Sequence, residues 1–192
     1  MSSESEFDRK STISDFIIFM KRIALVTTLI VMCMTAKSEK VLVAYFSATG
    51  TTENVAKIVA EVTDGALFQI TPQVAYTSAD LDWTDKQSRS SVEMRDKSSR
   101  PAIKSRVANI NEYDIIYIGY PIWWYVAPTI INTFIEAHDL SGKTIIPFAT
   151  SGGSPIGPTV EALRKTYPTL NIKDGALLNS ATEKSIKAWI SQ

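Results

Sequence analysis

Chemistry in this chain has few places to reside. There is one cysteine, Cys33, and one histidine, His138. Single copies exclude a disulfide framework, a multi-cysteine metal site and a histidine-cluster metal site. What remains is hydroxyls, carboxylates or a bound cofactor. The densest cluster of hydroxyls is Ser47-Ala48-Thr49-Gly50-Thr51-Thr52, between an apolar run and an amphipathic one. A turn of this kind at a helix start offers unpaired N–H groups and a partial positive charge to an anion. Gly50 lets the backbone wrap closely around a ligand. The turn contains no lysine, so it is not a Walker loop. A phosphate monoester held by neutral donors fits it. A hydroxyl-rich N-cap with no ligand is the plain alternative.

Two further segments have site-like composition. Pro121-Ile122-Trp123-Trp124-Tyr125 places three consecutive aromatics just before Val126-Ala127-Pro128. Three adjacent aromatics cannot all point inward from one turn, so part of the cluster is exposed or covers a ligand. Thr150-Ser151-Gly152-Gly153-Ser154 combines close backbone approach with small donors. An ordinary strand-to-helix turn would look similar.

Elements that position these loops are legible as hydrophobic runs. Lys40–Phe46, Ala66–Ile70, Tyr113–Gly119, Lys143–Ala149 and Ala176–Asn179 read as strands. Thr52–Val62, Pro128–Ala137, Pro158–Tyr167 and Thr182–Ile190 read as helices. The alternation predicts an α/β fold: a doubly wound, five-stranded parallel sheet. Residues 71–112 are mostly polar and lie where a regular second helix belongs. Ser98–Asn109 is expected to supply a short helix there, broken early by Pro101.

The first 39 residues differ from the rest. A polar stretch at 1–15 precedes Phe16–Met20, then Lys21-Arg22, then the uncharged run Ile23–Met34 and the small Thr35-Ala36. This order reads as a leader at 20–36 or an uncleaved anchor, hence an exported or membrane-associated protein. Met34 is large for the −3 position of a cleavage site, and Met32 before Cys33 argues against lipidation. A cytoplasmic chain is the alternative. The expected division is therefore 1–39 and 40–192.

Charge is balanced: 20 Lys plus Arg against 20 Asp plus Glu, and 16 of each from Lys37 onward. No basic surface for nucleic acid is implied, and no acidic field for steering. His138 is expected to cap a helix end. Arg89 is expected in a surface ion pair, with reception of an anionic substrate or nucleotide phosphate as the alternative. Tyr76 and Trp83 either cover the site or pin the 71–112 segment to the core, and Trp189 packs in the core.

Tyr45-Phe46-Ser47-Ala48-Thr49-Gly50-Thr51-Thr52 resembles the flavodoxin phosphate-loop pattern, Ser/Thr-x-Thr-Gly-x-Thr. The spacing of strands from about Lys40 to Gln192 is similar to flavodoxins as well. The resemblance implies strand order 2-1-3-4-5 and FMN as cofactor, bound where the order reverses; flavodoxin is a standard example of that rule. It further implies a flavin wall from Trp123 or Trp124, with 150–154 along the pyrimidine edge. Unlike many flavodoxins, the latter loop lacks an aromatic, so the second flavin face is open or covered by the 71–112 segment. A one-electron carrier serving redox partner proteins is the first function implied. The alternative, supported by the glycine-free loop after the tryptophans, is an FMN-dependent NAD(P)H:quinone-type oxidoreductase working by hydride transfer. A flavin-free protein keeping the fold is a third reading.

Overall fold

A computed structural model describes residues 39–191; the leader expected at 20–36 lies outside them. Strands β1 (Val41–Tyr45), β2 (Ala66–Gln69), β3 (Ile115–Pro121) and β4 (Thr144–Thr150) form the body of one sheet. Two short strands, β5 (Asn171–Ile172) and β6 (Ala176–Leu177), share the fifth place. All pairings are parallel, in the order β2-β1-β3-β4-β5, with β6 also on β4. Helices α1 (Thr51–Thr63), α2 (Arg89–Arg95), α3 (Thr129–Glu136), α4 (Gly157–Thr166) and α5 (Glu183–Ile190) complete the fold. Among the described residues, no helix is long and apolar enough to cross a membrane.

The two-residue side-chain alternation of strands explains the layers. Leu42, Ala44 and Phe46 pack with Ile116, Ile118 and Tyr120 in the cluster that also holds Ile130, Phe134 and Leu163. Val43 and Tyr45 belong to a second cluster with Val55, Val59 and Ile186. One sheet face is thus covered by α3 and α4, the other by α1 and α5. Such near-continuous apolar strands are what two-sided burial requires.

The fifth strand was expected only at 176–179; the structure adds β5 and a kink. Register along β4 shifts from Ile145↔Ile172 to Phe148↔Ala176, so the outer strand carries one extra residue. Lys173 and Leu178 donate backbone N–H bonds to Ile145 and Ala149. By alternation Pro147 faces the same neighbour, and it has no N–H to give. The bulge falls opposite the one residue of β4 that cannot complete the ladder.

The 71–112 segment also differs from expectation. No helix forms over 98–109. Pro101 lacks a donor, Ser98 closes a turn on Asp96, and Arg100 turns back to the carbonyls of Lys97 and Ser99. The helix instead is α2, where the Ser88 side chain accepts the Ser91 N–H as an N-cap. The segment is fastened to α3. Arg100 grips both Glu136 oxygens at 2.8 Å. His138 bridges the same two pieces: Nδ1 lies 2.7 Å from the Phe134 carbonyl and Nε2 accepts the Val107 N–H at 2.9 Å. Nδ1 therefore carries the proton in the neutral ring.

Burial holds His138 below the ordinary histidine pKa, outweighing the Phe134 bond that favours the charged form. Protonation would set an N–H of the ring against the Val107 N–H. A depressed folded pKa means the unfolded chain takes up the proton first as pH falls. Stability is then full above the unfolded value of about 6.5 and declines as pH drops through it toward the folded value. The urea midpoint should fall between about pH 7 and about pH 5, and His138→Gln should flatten that part of the profile. An unchanged slope in the variant would refute the assignment.

Candidate functional site

The carboxyl ends of β1, β3 and β4 open into a cavity of about 830 Å³. This is where doubly wound sheets bind ligands. Its border includes Ser47, Ala48, Thr49, Thr51 and Thr52, then Pro121, Ile122, Trp123, Trp124 and Tyr125, then Thr150, Ser151, Gly152 and Ser154. Every residue expected on sequence grounds is there except Gly50 and Gly153. Those two act through the backbone: Gly50 shapes one loop and Gly153 N–H closes the other. Sequence reasoning missed Ser90, Leu81 and Asn179; Trp83 was weighed only as a possible cover, and it too borders the cavity.

Gly50 has φ +89° and caps α1 without a side-chain bond. That conformation, more than space, calls for glycine, since a Cβ there would meet nothing within 4 Å. The first helical bond runs from Asn54 N–H to the Gly50 carbonyl. The N–H groups of residues 51, 52 and 53 are left without helical acceptors, aimed as a helix start aims them. The four hydroxyls divide their work. Thr52 is buried and pairs with Thr150 at 2.8 Å, tying β4 to this turn. Ser47 Oγ accepts the Gly50 N–H at 3.1 Å and keeps its own hydrogen for another partner. Thr49 and Thr51 lie exposed, 3.4 Å apart.

The aromatic loop is a hairpin. Trp123 and Val126 exchange both backbone bonds at 3.0 Å, with Trp124 and Tyr125 between them. Both central residues have positive φ, +45° and +66°, as in a type I′ turn. Glycine or asparagine normally fills such positions, and each aromatic there costs about 1–2 kcal/mol. The glycine-free loop thus enters left-handed backbone at two aromatic residues. Trp123 enforces the turn because its ring is fixed edge-on against Phe46 (5.6 Å) and Tyr76 (5.5 Å). Trp124 at the tip is 43% exposed, and Tyr125 is 66% exposed.

Tyr76 is itself held. Arg89 lies 4.0 Å over its ring, and Glu93 accepts its hydroxyl. Burial, then the Glu93 bond, pushes the Tyr76 phenol well above its ordinary pKa. Arg89 also binds Glu93 at 2.7 Å and the Val74 carbonyl at 2.8 Å. It is engaged in the ion pair expected of it. Tyr76 therefore pins the segment to the core, whereas Trp83 is 75% exposed at the cavity border.

The loop after β4 is preorganised. Asn179 clamps Ser151 by two 2.7 Å bonds, Ser151 N–H to Oδ1 and Nδ2–H to the Ser151 carbonyl. Ser151 Oγ accepts N–H bonds from Gly153 and Ser154. Among residues 151–154, the Gly152 N–H has no acceptor within the described residues.

No cavity-lining residue is charged, and none is a histidine. No group of three or more metal-ligating side chains occurs among the described residues. The lining offers donors, hydroxyls and aromatic surface with which to hold, orient and desolvate a ligand.

Comparison with known proteins agrees with the fold. A family model described as Flavodoxin matches residues 40–192. No curated protein matches the chain. A solved protein from Bacteroides eggerthii, designated a flavoprotein, is 60% identical, with TM-score 0.79 over 80% of this chain and 97% of its own. One of the same designation from Bacteroides uniformis is 57% identical, with TM-score 0.79 over 81% of this chain and 100% of its own. A Lactobacillus acidophilus flavoprotein, solved in complex with FMN, shares the fold at 24% identity, with TM-score 0.63 over 81% of this chain and 100% of its own. Residues 40–192 span nearly all that the structure describes, and over them this chain belongs to the flavodoxin family.

Proposed function

We propose that the protein binds FMN in this cavity and acts as a redox protein. The carrying observation is the convergence of three features on one cavity: partnerless N–H groups at a helix start, an exposed tryptophan wall and a clamped Ser-Gly loop. The phosphate falls to the N–H groups of 51–53 and to the Ser47, Thr49 and Thr51 hydroxyls. Trp124 supplies the flat wall, and Gly152 N–H a donor for the ring edge. Bound FMN supplies the electron acceptance and donation. Negative charge gained by a bound ring meets no cation in the lining, which supports a low reduction potential. The leader-like run at 20–36 supports an exported or membrane-anchored protein.

FMN titration of the apoprotein tests this reading, followed by visible absorption and fluorescence quenching. One equivalent should bind. Affinity should change by less than a factor of about three between low and high salt, because the lining is uncharged. Protein that stays colourless in excess FMN would refute the proposal.

An FMN-dependent NAD(P)H:quinone-type oxidoreductase is a second reading, favoured by the aromatic hairpin. Turning the peptide between Trp124 and Tyr125 would carry Trp124 out of its present left-handed conformation into one still more restricted to glycine. That strain opposes a swing of the Trp124 carbonyl toward a bound ring to accept a hydrogen bond from a singly reduced flavin, which supports electron transfer in pairs. The cavity also runs on to Leu81 and Trp83, leaving apolar surface for a planar acceptor. Steady-state NADH or NADPH oxidation with a quinone selects this reading; FMN-loaded protein without turnover returns the carrier.

A further inference from the structure

We propose that Ser90 is a ligand-binding residue, contributed to the flavin cavity by the 71–112 segment. The inference rests on the FMN reading above and deepens it. Ser90 borders the cavity, yet the residue is only 2% exposed. Its Oγ is buried and has no hydrogen-bond partner among the described residues. A buried hydroxyl left unpaired is costly, and native proteins keep such groups for a reason.

Its neighbours make the isolation specific. Ser88 and Ser91, also buried, are paired, with Ser88 Oγ donating to Ser91 Oγ at 2.9 Å. Arg89 is committed to Glu93, the Val74 carbonyl and the Tyr76 ring. Of the three serine hydroxyls in this run, only that of Ser90 has no hydrogen bond of either kind. Its backbone is fixed, because Ser90 N–H donates to the Asp80 carbonyl at 2.9 Å. Asp80 in turn closes a turn on Thr77 through the Thr77 N–H and hydroxyl. Only the single torsion of a serine side chain is left to set, so ligand capture requires little ordering. The hydroxyl then pairs with a polar atom of FMN, and the segment that interrupts the regular fold becomes a fourth wall of the site, to which Leu81 and Trp83 also contribute.

The test is Ser90→Ala, measured on the apoprotein and on flavin binding. Removing an unpaired buried hydroxyl should leave the apoprotein's urea midpoint unchanged or raised. FMN affinity should fall about tenfold, the effect of one lost hydrogen bond. Riboflavin, titrated in parallel, places the contact. A fall shared by both ligands puts Ser90 on the ring or ribityl chain; a fall confined to FMN puts it on the phosphate. Wild-type affinity in the variant for both ligands overturns the inference, whether or not stability changes. Wild-type protein that binds neither ligand is a separate failure, that of the FMN reading itself.

Discussion

Trp124→Ala should weaken FMN binding by about 5- to 150-fold, the range of about 1–3 kcal/mol expected when one aromatic stacking partner is lost, with little change in the urea midpoint. Trp123→Ala should do the reverse in emphasis, costing about 3 kcal/mol of stability. The two residues are adjacent and of one type, but their surroundings differ. Trp123 is wedged edge-on between Phe46 and Tyr76, so its removal leaves a hole in the cluster that aligns the hairpin. Trp124 rides on the turn tip with 43% of its surface free. Urea unfolding with quenching of FMN fluorescence separates the two losses. FMN affinity unaltered in Trp124→Ala would remove this residue as the flavin wall.

Gly119→Ala should be among the most damaging single-methyl changes in the domain, at about 3 kcal/mol. An added Cβ would lie 2.2 Å from Phe148 Cζ and 2.4 Å from Cε2. Phe148 is the register partner of Gly119 and is wholly buried, so its ring has nowhere to retreat. Damage should reach the cavity too, because the Gly119 carbonyl accepts the Phe46 N–H at 2.9 Å, one residue before the phosphate turn begins. Phe148→Leu in the Gly119→Ala background should recover part of the loss, the sign of a direct clash. Chemical denaturation of the two single variants and the double variant closes the cycle; purely additive losses would contradict it.

Much of this architecture was legible because burial on both faces of a parallel sheet writes long apolar runs into the chain. Val41–Tyr45 and Ile115–Pro121 show this directly, each within two residues of its expected bounds at either end. The cavity-lining loops were visible as well, because each follows a strand directly and concentrates hydroxyls, aromatics or glycines. The 71–112 segment was not legible. Its order comes from contacts distant in sequence, such as Arg100 with Glu136 and His138 with Val107, which no local period announces. Ser90, flanked by serines of similar chemistry, gave no signal of its own; only the pairing of Ser88 with Ser91 sets it apart. Nor could the division of labour between Trp123 and Trp124 be read, because it depends on Tyr76 arriving from that same segment. Asn179 had one signal that could have been used: it is an amide side chain at the carboxyl end of the expected last strand, the end where such sheets bind ligands.

The kink opposite Pro147 has a consequence for crowded solution. An unbroken outer strand presents a row of free backbone groups on which another chain can align and polymerise. Here that row is cut into pieces of two residues each, and the cut is enforced by a ring that cannot donate. The border beyond β4 is therefore a poor template for sideways growth of the sheet, and the domain is guarded there against amyloid-like stacking.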